Sequence, residues 1–288
     1  MKKLALLNLI LILIGIYGCS SVPVTGRSQL NLVSDQEVLS LSLQEYNDYI
    51  KTAKKSTDKT ATAMVTNVGR KIADAVEVYF EYNGMESLLE GYSWEFNLID
   101  DPQANAFCMP GGKIVVYSGI LPITQNESGL AVVVGHEVAH AVAKHANERM
   151  SQQMLAQYGA TGLSALLSKS SSAVQSIGQS VFGVGAQYGV LLPYNRKQET
   201  EADQMGLIFM AIAGYSPEAA LPFWQRMSQQ SGGSVPEFMS THPSDNTRLA
   251  NIQKNLPEAM QYYNSIWGSN KNTTAPAKKA NTSSEWHF

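Results

Sequence analysis

The stretch Leu130-Ala131-Val132-Val133-Val134-Gly135-His136-Glu137-Val138-Ala139-His140 decides how the chain is read. Its apolar positions Leu130, Val133, Val134 and Val138 follow a helical period, so the segment is expected as a buried central helix. Thr124-Gln125-Asn126-Glu127 just ahead of it is T-x-x-E, a capping box. The spacing therefore predicts one helix from there to about Met150. On that helix His136-Glu137-Val138-Ala139-His140 is H-E-x-x-H. Residues four apart lie on one helix face a turn apart, so both imidazoles can aim at one Zn²⁺. Glu137 is turned by about 100° from His136. It can face a water beside the metal instead of the metal, which suits a general base.

A catalytic zinc needs a third protein ligand and one open position. The chain has 5 histidines in all. His287 lies in a polar tail. On a continuous helix His145 is carried through about 900° from His136, roughly half a turn off the zinc face, and is not expected as a ligand. A carboxylate on a second helix fits better. Glu199-Thr200-Glu201-Ala202-Asp203 places Glu199 and Asp203 on one face. One can bind zinc while the other bonds the free nitrogen of a ligand histidine; the His₂Glu pattern favours Glu199 as the ligand. Glu201 points elsewhere and reads as a solvated charge. His242, ahead of Pro243, is compatible with three roles: a capping or packing residue, a removable plug at the open metal position, or a donor to an oxyanion.

Outward from these helices the pattern alternates. Trp94, Phe96 and Leu98 interleave with Ser93, Glu95 and Asn97, a half-buried strand. Asp100-Asp101-Pro102 is a turn. Residues 105–107 lead through Pro110-Gly111-Gly112 into a β-rich run at 113–117, giving strand, Gly-rich turn, strand. Towards the N-terminus, Ser34 to Glu37 is S-x-x-E, opening a helix to about Lys54. Residues 60–80 continue with helical spacing at Met64, Val65, Val68, Ile72 and Val76. Residues 153–192 are rich in Gly, Ala and Ser with Lys169 as the sole charge. They lack 18 uninterrupted apolar residues, so packed amphipathic helices are expected and not a membrane span. A helix over 196–213 ends at Gly214, Pro217 restarts one, and Pro243-Ser244-Asp245 begins a last helix to about Leu256. The fold class is α+β, mostly helical: a zincin-type catalytic domain with a small β-sheet.

The chain has 288 residues, 44% hydrophobic and 16% charged, enough for one sizeable core. A formal charge of −3 offers no basic face for nucleic acid. Lys2-Lys3, the apolar run from Leu4 to Ile14 and Ile16-Tyr17-Gly18-Cys19 have the layout of a bacterial secretory signal. Its end resembles a lipobox, which makes Cys19 the expected lipidation point. Ser20-Ser21, without an acidic residue, looks like outer-membrane sorting. Of the 2 cysteines, Cys108 is then left without an intramolecular partner and reads as a small buried hydrophobe. The expected organisation is a signal peptide at 1–18, a tether and helix at 19–58, a metallopeptidase domain at 59–262 and a disordered tail at 263–288.

Four separated pieces, taken together, resemble a known family. They are Asn105-Ala106-Phe107-Cys108-Met109-Pro110-Gly111-Gly112, then His136 to His140, then Arg196 with Glu199-x-x-Ala202-Asp203, then Thr241-His242-Pro243 followed by Arg248. The combination is similar to the gluzincin peptidases related to the CAAX prenyl endopeptidase, in particular their bacterial envelope members of the BepA and LoiP kind. The resemblance implies one zinc per chain, Glu199 as third ligand, and Asp203 and Arg196 as its supports. It also implies an exposed edge strand beside the cleft after Gly112, with Asn105, Gly111 and Gly112 at the substrate edge. Such an edge holds an extended chain by strand addition, which reads backbone rather than side chains. The resemblance places His242 near zinc without choosing its role, and leaves Arg248 to orient that loop, aid an oxyanion or form an ordinary salt bridge. The expected function is an endopeptidase acting on unfolded or misassembled envelope proteins. The alternative is a chaperone or assembly factor for outer-membrane proteins with a self-gated zinc site. Anchoring by lipid at the periplasmic face of the outer membrane is the expected location.

Overall fold

A computed structural model of the protein describes residues 19–167, 172–182, 195–229, 237–242 and 247–268. The expected signal peptide, the end of the tail, parts of 153–192 and the expected helix start at 243–245 lie outside the described residues.

The stretch expected to be a tether is folded. Strands β1 (Cys19–Ser21) and β2 (Ser28–Leu30) pair antiparallel with Cys19 opposite Leu30. Val22 beside the turn is buried, and the buried Gln29 amide donates to the Ala143 carbonyl at 2.9 Å. Helix α1 (Asp35–Thr52) starts where S-x-x-E predicts, with the Ser34 side chain accepting from the Glu37 N–H. Helix α2 (Lys59–Tyr82) buries Val65, Val68, Ile72 and Val76 on one face, the expected stripe.

Strands β3 (Glu95–Ile99), β4 (Ala106–Met109) and β5 (Lys113–Tyr117) form a sheet in the order β3-β5-β4. β5 is parallel to β3 and antiparallel to β4. Gly111 and Gly112, at φ 88° and 80°, make the reversal between β4 and β5 in a backbone region that favours glycine. The strand expected to be an exposed substrate edge, 112–117, is therefore the central strand. It is hydrogen-bonded on both sides and cannot accept another chain. The edge strands are β3 and β4, and all four residues of β4 are buried, packed beside the metal-site helix.

The single helix predicted through H-E-x-x-H is two. Thr124 closes a short helix α3 (Leu121–Thr124), its hydroxyl donating to the Leu121 carbonyl. Asn126 then caps α4 (Glu127–Val142) by accepting from the Gly129 N–H. Lys144, at φ 57°, breaks the run before α5 (His145–Leu167). Helices α6 (Ser172–Phe182), α7 (Arg196–Ile212), α8 (Ala220–Gln229), α9 (Glu237–Thr241) and α10 (Arg248–Trp267) follow. Asn195 and Gln198 form a reciprocal capping box at the start of α7. α10 continues through Pro257 to Trp267, so it passes the predicted end near Leu256 and takes 263–267 out of the expected tail. Among the described residues no helix is long and apolar enough to cross a membrane.

Every residue of α4 from Gly129 to Val142 is buried, enclosed by α2, α7 and the sheet. The tightest constraint is where α4 crosses α7. A Cβ on Gly206 would lie 2.9 Å from the His136 backbone nitrogen, and one on Gly135 would lie 3.0 Å from the Gly206 carbonyl oxygen. The two backbones are in contact, one residue from a metal-site histidine. Gly206→Ala should push the helices apart and destabilise the fold by about 1–3 kcal/mol, the usual cost of overpacking. Urea unfolding measures this; an unchanged midpoint would mean the crossing tolerates a methyl group.

Candidate metal centre

The α4–α7 crossing brings four buried donors together. His136 Nε2 and His140 Nε2 lie 3.1 Å apart. Glu199 Oε2 is 3.4 Å from His136 Nε2, and Glu199 Oε1 is 3.3 Å from His140 Nε2. His242, just past α9, places Nδ1 3.3 Å from His136 Nε2 and 3.1 Å from Glu199 Oε1. One donor atom from each of these residues lies within 4.8 Å of all the others.

The residues fit a zinc ion. Imidazole nitrogen and carboxylate oxygen are ordinary zinc donors. Two of the buried carboxylate oxygens converging here, Glu199 Oε2 and Glu137 Oε1, have no hydrogen bond. Close neighbours at 3.2 Å (Arg248 Nη1) and 3.3 Å (His242 Nε2) lack the geometry for one. A buried acceptor left unsatisfied is costly, and a cation among these donors would relieve that cost for Glu199.

A second layer holds the donors. His136 Nδ1 is 2.9 Å from Asp203 Oδ1, and that oxygen also accepts from Arg248 Nη2 at 2.7 Å. Arg248 lies 3.4 Å above the Trp224 ring and bridges Glu199 and Asp203, one turn apart on α7. Of the roles open to it, the geometry is that of a buried clamp on the carboxylates. Burial would raise the Glu199 carboxyl, but His242, His136 and His140 outweigh it and hold it well below the usual carboxylate range. Burial raises the Glu137 carboxyl, with His242 and His136 offsetting only part of that; a raised carboxyl makes a better proton acceptor near neutral pH. Burial also pushes the His140 imidazole well down, towards the neutral form a metal requires.

The remaining predicted residues divide. Arg196 is exposed at the start of α7, whereas the cluster it was expected to support is buried. Asn105 precedes β4; its side-chain oxygen accepts from the Ala106 N–H. Gly111 and Gly112 lie in a buried turn against Leu39 and Trp94. Cys108 is buried, and burial pushes its thiol well up, as suits an inert hydrophobe. Cys19 opens β1.

Two residues set aside on sequence belong to the centre. His145 is fully buried, with Nδ1 2.8 Å from His140 Nδ1 and Nε2 3.2 Å from Glu201 Oε2. The break at Lys144 resets the helical phase, so rotation counted along one continuous helix does not apply. The lapse of the apolar period after Val142 was the one sequence mark of that break. Glu201 does point away from Glu199, but into α5 rather than solvent. Burial would raise its carboxyl, yet hydrogen bonds from His145, Arg27 and Thr25 bring it down to about 2. Trp224 and Phe238 were also missed; Phe238 stacks on His242 at 4.5 Å.

Fold and site together define a zincin-type metallopeptidase. The family model for peptidase family M48 matches residues 63–256, and the chain belongs to that family. Its donor set is that of a zinc metalloendopeptidase, the enzyme class to which this membership assigns it. The chain is 35% identical over 247 residues to mitochondrial metalloendopeptidase OMA1 of Schizosaccharomyces pombe, covering 83% of this chain and 66% of that protein. It is 33% identical to the same-named protein of Saccharomyces cerevisiae, over 84% of this chain and 70% of that one. The beta-barrel assembly-enhancing protease of Yersinia pestis is 34% identical, over 56% of this chain and 34% of its own length. The chain thus spans about two thirds of the yeast proteins and a third of the bacterial one. These relatives overturn the expected location at the bacterial outer membrane: both yeast proteins, matched over more than four fifths of this chain, are mitochondrial proteases. That expectation rested on 1–21, a short composition signal almost wholly outside the described residues.

Asp203→Asn, which keeps the shape but not the charge behind His136, should weaken zinc binding about 10–100-fold. Competition with a chromophoric chelator measures it; wild-type affinity would remove Asp203 from the support of the site.

Proposed function

We propose that the protein is a zinc-dependent endopeptidase that cuts unfolded or misassembled protein chains, with His136, His140 and Glu199 as metal ligands and residues 59–262 as its peptidase domain. The observation that carries the reading is the convergence of these three donors beside Glu137, whose carboxyl oxygen is buried without a hydrogen bond. Zinc bound there supplies Lewis acidity towards a peptide carbonyl and towards water. Glu137 takes the proton from the attacking water and passes it to the leaving amine. Asp203 accepts from His136 Nδ1–H and so fixes the tautomer of the neutral ring that has its lone pair on the metal-facing Nε2. The substrate class is supported by the bacterial relative, which is named for enhancing β-barrel assembly. Purified protein should cleave casein, lose this on chelation, and regain it with zinc. Glu137→Gln should keep zinc yet lose cleavage by more than about 100-fold, in line with general-base contributions. Retained cleavage would take Glu137 out of the mechanism.

A second reading, an assembly factor with a self-gated site, is favoured by His242. Its Nδ1 stands among the three expected ligands and its Nε2 faces Glu137 Oε1 at 3.3 Å. Were all four residues to hold the metal, no position would be left for substrate, and His242 would have to withdraw before any cut. On this reading His242→Ala raises casein cleavage several-fold; a fall would instead make His242 part of the catalytic machinery.

A further inference from the structure

Each metal-facing histidine turns its second nitrogen to a support, but the two supports differ. Behind His136 stands Asp203, held by Arg248. Behind His140 stands a longer chain of contacts that leaves the peptidase core. His140 Nδ1 meets His145 Nδ1 at 2.8 Å, His145 Nε2 meets Glu201 Oε2 at 3.2 Å, and Glu201 Oε1 accepts from Arg27 Nε at 2.7 Å and from the Thr25 hydroxyl at 2.9 Å. Arg27 and Thr25 belong to the turn of the N-terminal hairpin, more than 170 positions before Glu201.

Donor and acceptor rules allow one polarity along this chain. A carboxylate only accepts and a guanidinium only donates. Glu201 therefore requires the proton of neutral His145 on Nε2, which leaves a lone pair on its Nδ1. That lone pair requires a proton on His140 Nδ1, which leaves the lone pair of His140 on Nε2. His140 Nε2 is the nitrogen that lies among the metal donors. The end of the relay is itself fixed. The other two guanidinium nitrogens of Arg27 make a two-point pair with Glu148 on α5, at 2.7 and 2.8 Å, and Gln198 on α7 donates to the same Glu148 at 2.7 Å. Gln29 of the hairpin bonds the Ala143 carbonyl beside the helix break that turns His145 towards His140.

We infer that the N-terminal hairpin is part of the metal centre: Arg27 is a positioning residue that acts through Glu201 and His145 to set the tautomer and aim of His140. The inference rests on the zinc reading above. A hairpin that merely packs on the surface would influence stability alone. A hairpin that positions a ligand influences metal affinity in a chain that is still folded.

The test measures zinc dissociation constants of the full chain by competition with a chromophoric chelator, and the thermal unfolding of each metal-free variant. Arg27→Ala and His145→Phe should each weaken zinc about 10–100-fold, the usual effect of removing a support behind a ligand. The double variant should bind no more weakly than the weaker single variant, since both act on one route. The Co²⁺ absorption spectrum of Arg27→Ala should also differ from wild type. Wild-type zinc affinity in Arg27→Ala, or losses that multiply in the double variant, would overturn the inference. If metal-free Arg27→Ala is unfolded, Arg27→Lys decides. It keeps a positive charge but loses the planar fork, and should still weaken zinc several-fold; unchanged affinity there overturns the inference too. A wild-type protein that binds no zinc would instead overturn the reading on which it rests.

Discussion

Two helices can share one metal only if their backbones come close enough for short side chains to meet. Packed helix axes usually stand 8–10 Å apart, set by the side chains between them. Here α4 and α7 have no side chain at the crossing, because Gly135 and Gly206 face each other there. That contact places His136 directly over the turn of α7 that carries Glu199 and Asp203. The imidazole and carboxylate donors converge because the helices cannot sit further apart without opening a void in a core where α4 is buried on every side. The remainder of the fold packs around this crossing: α2, the sheet and α8 against α4, and α2 and α10 against α7.

Burying so many ionisable groups is tolerated because they are paired. An isolated buried charge costs far more than one that is hydrogen-bonded and neutralised. Arg248 answers Glu199 and Asp203; Arg27 answers Glu148 and Glu201. Each arginine grips two carboxylates, Arg248 beside His136 and Arg27 at the far end of the contacts behind His140. Their pattern separates the donors that face the metal from the groups that orient them, and leaves Glu137 with an oxygen that has no hydrogen bond. His242 faces that oxygen with Nε2 and the donor cluster with Nδ1.

H-E-x-x-H, the Glu199/Asp203 pair and the α+β, mostly helical class were legible because each depends on spacing within a single helix or strand. Residues four apart share a helix face whatever surrounds them. The capping signal at Ser34 was legible for the same reason. Misreadings arose where a local rule met a competing local feature. Asn126 took the cap that T-x-x-E assigned to Thr124. The left-handed residue Lys144 split a helix that periodicity read as continuous, and His145 was misplaced with it. Pro257 did not end α10.

The sequence by itself determined which residues could bind zinc and which could act as base, since these follow from side-chain chemistry and a 3.6-residue repeat. Only the tertiary structure decided that strand 113–117 is central, because β3 pairs with β5 past its chain neighbour β4, a choice no local pattern encodes. It alone showed that Glu201 is buried, that His242 stands among the candidate donors, and that contacts run from Arg27 of the hairpin through Glu201 and His145 to His140. Those contacts join residues far apart in the chain, and no local period encodes a distance that folding alone closes.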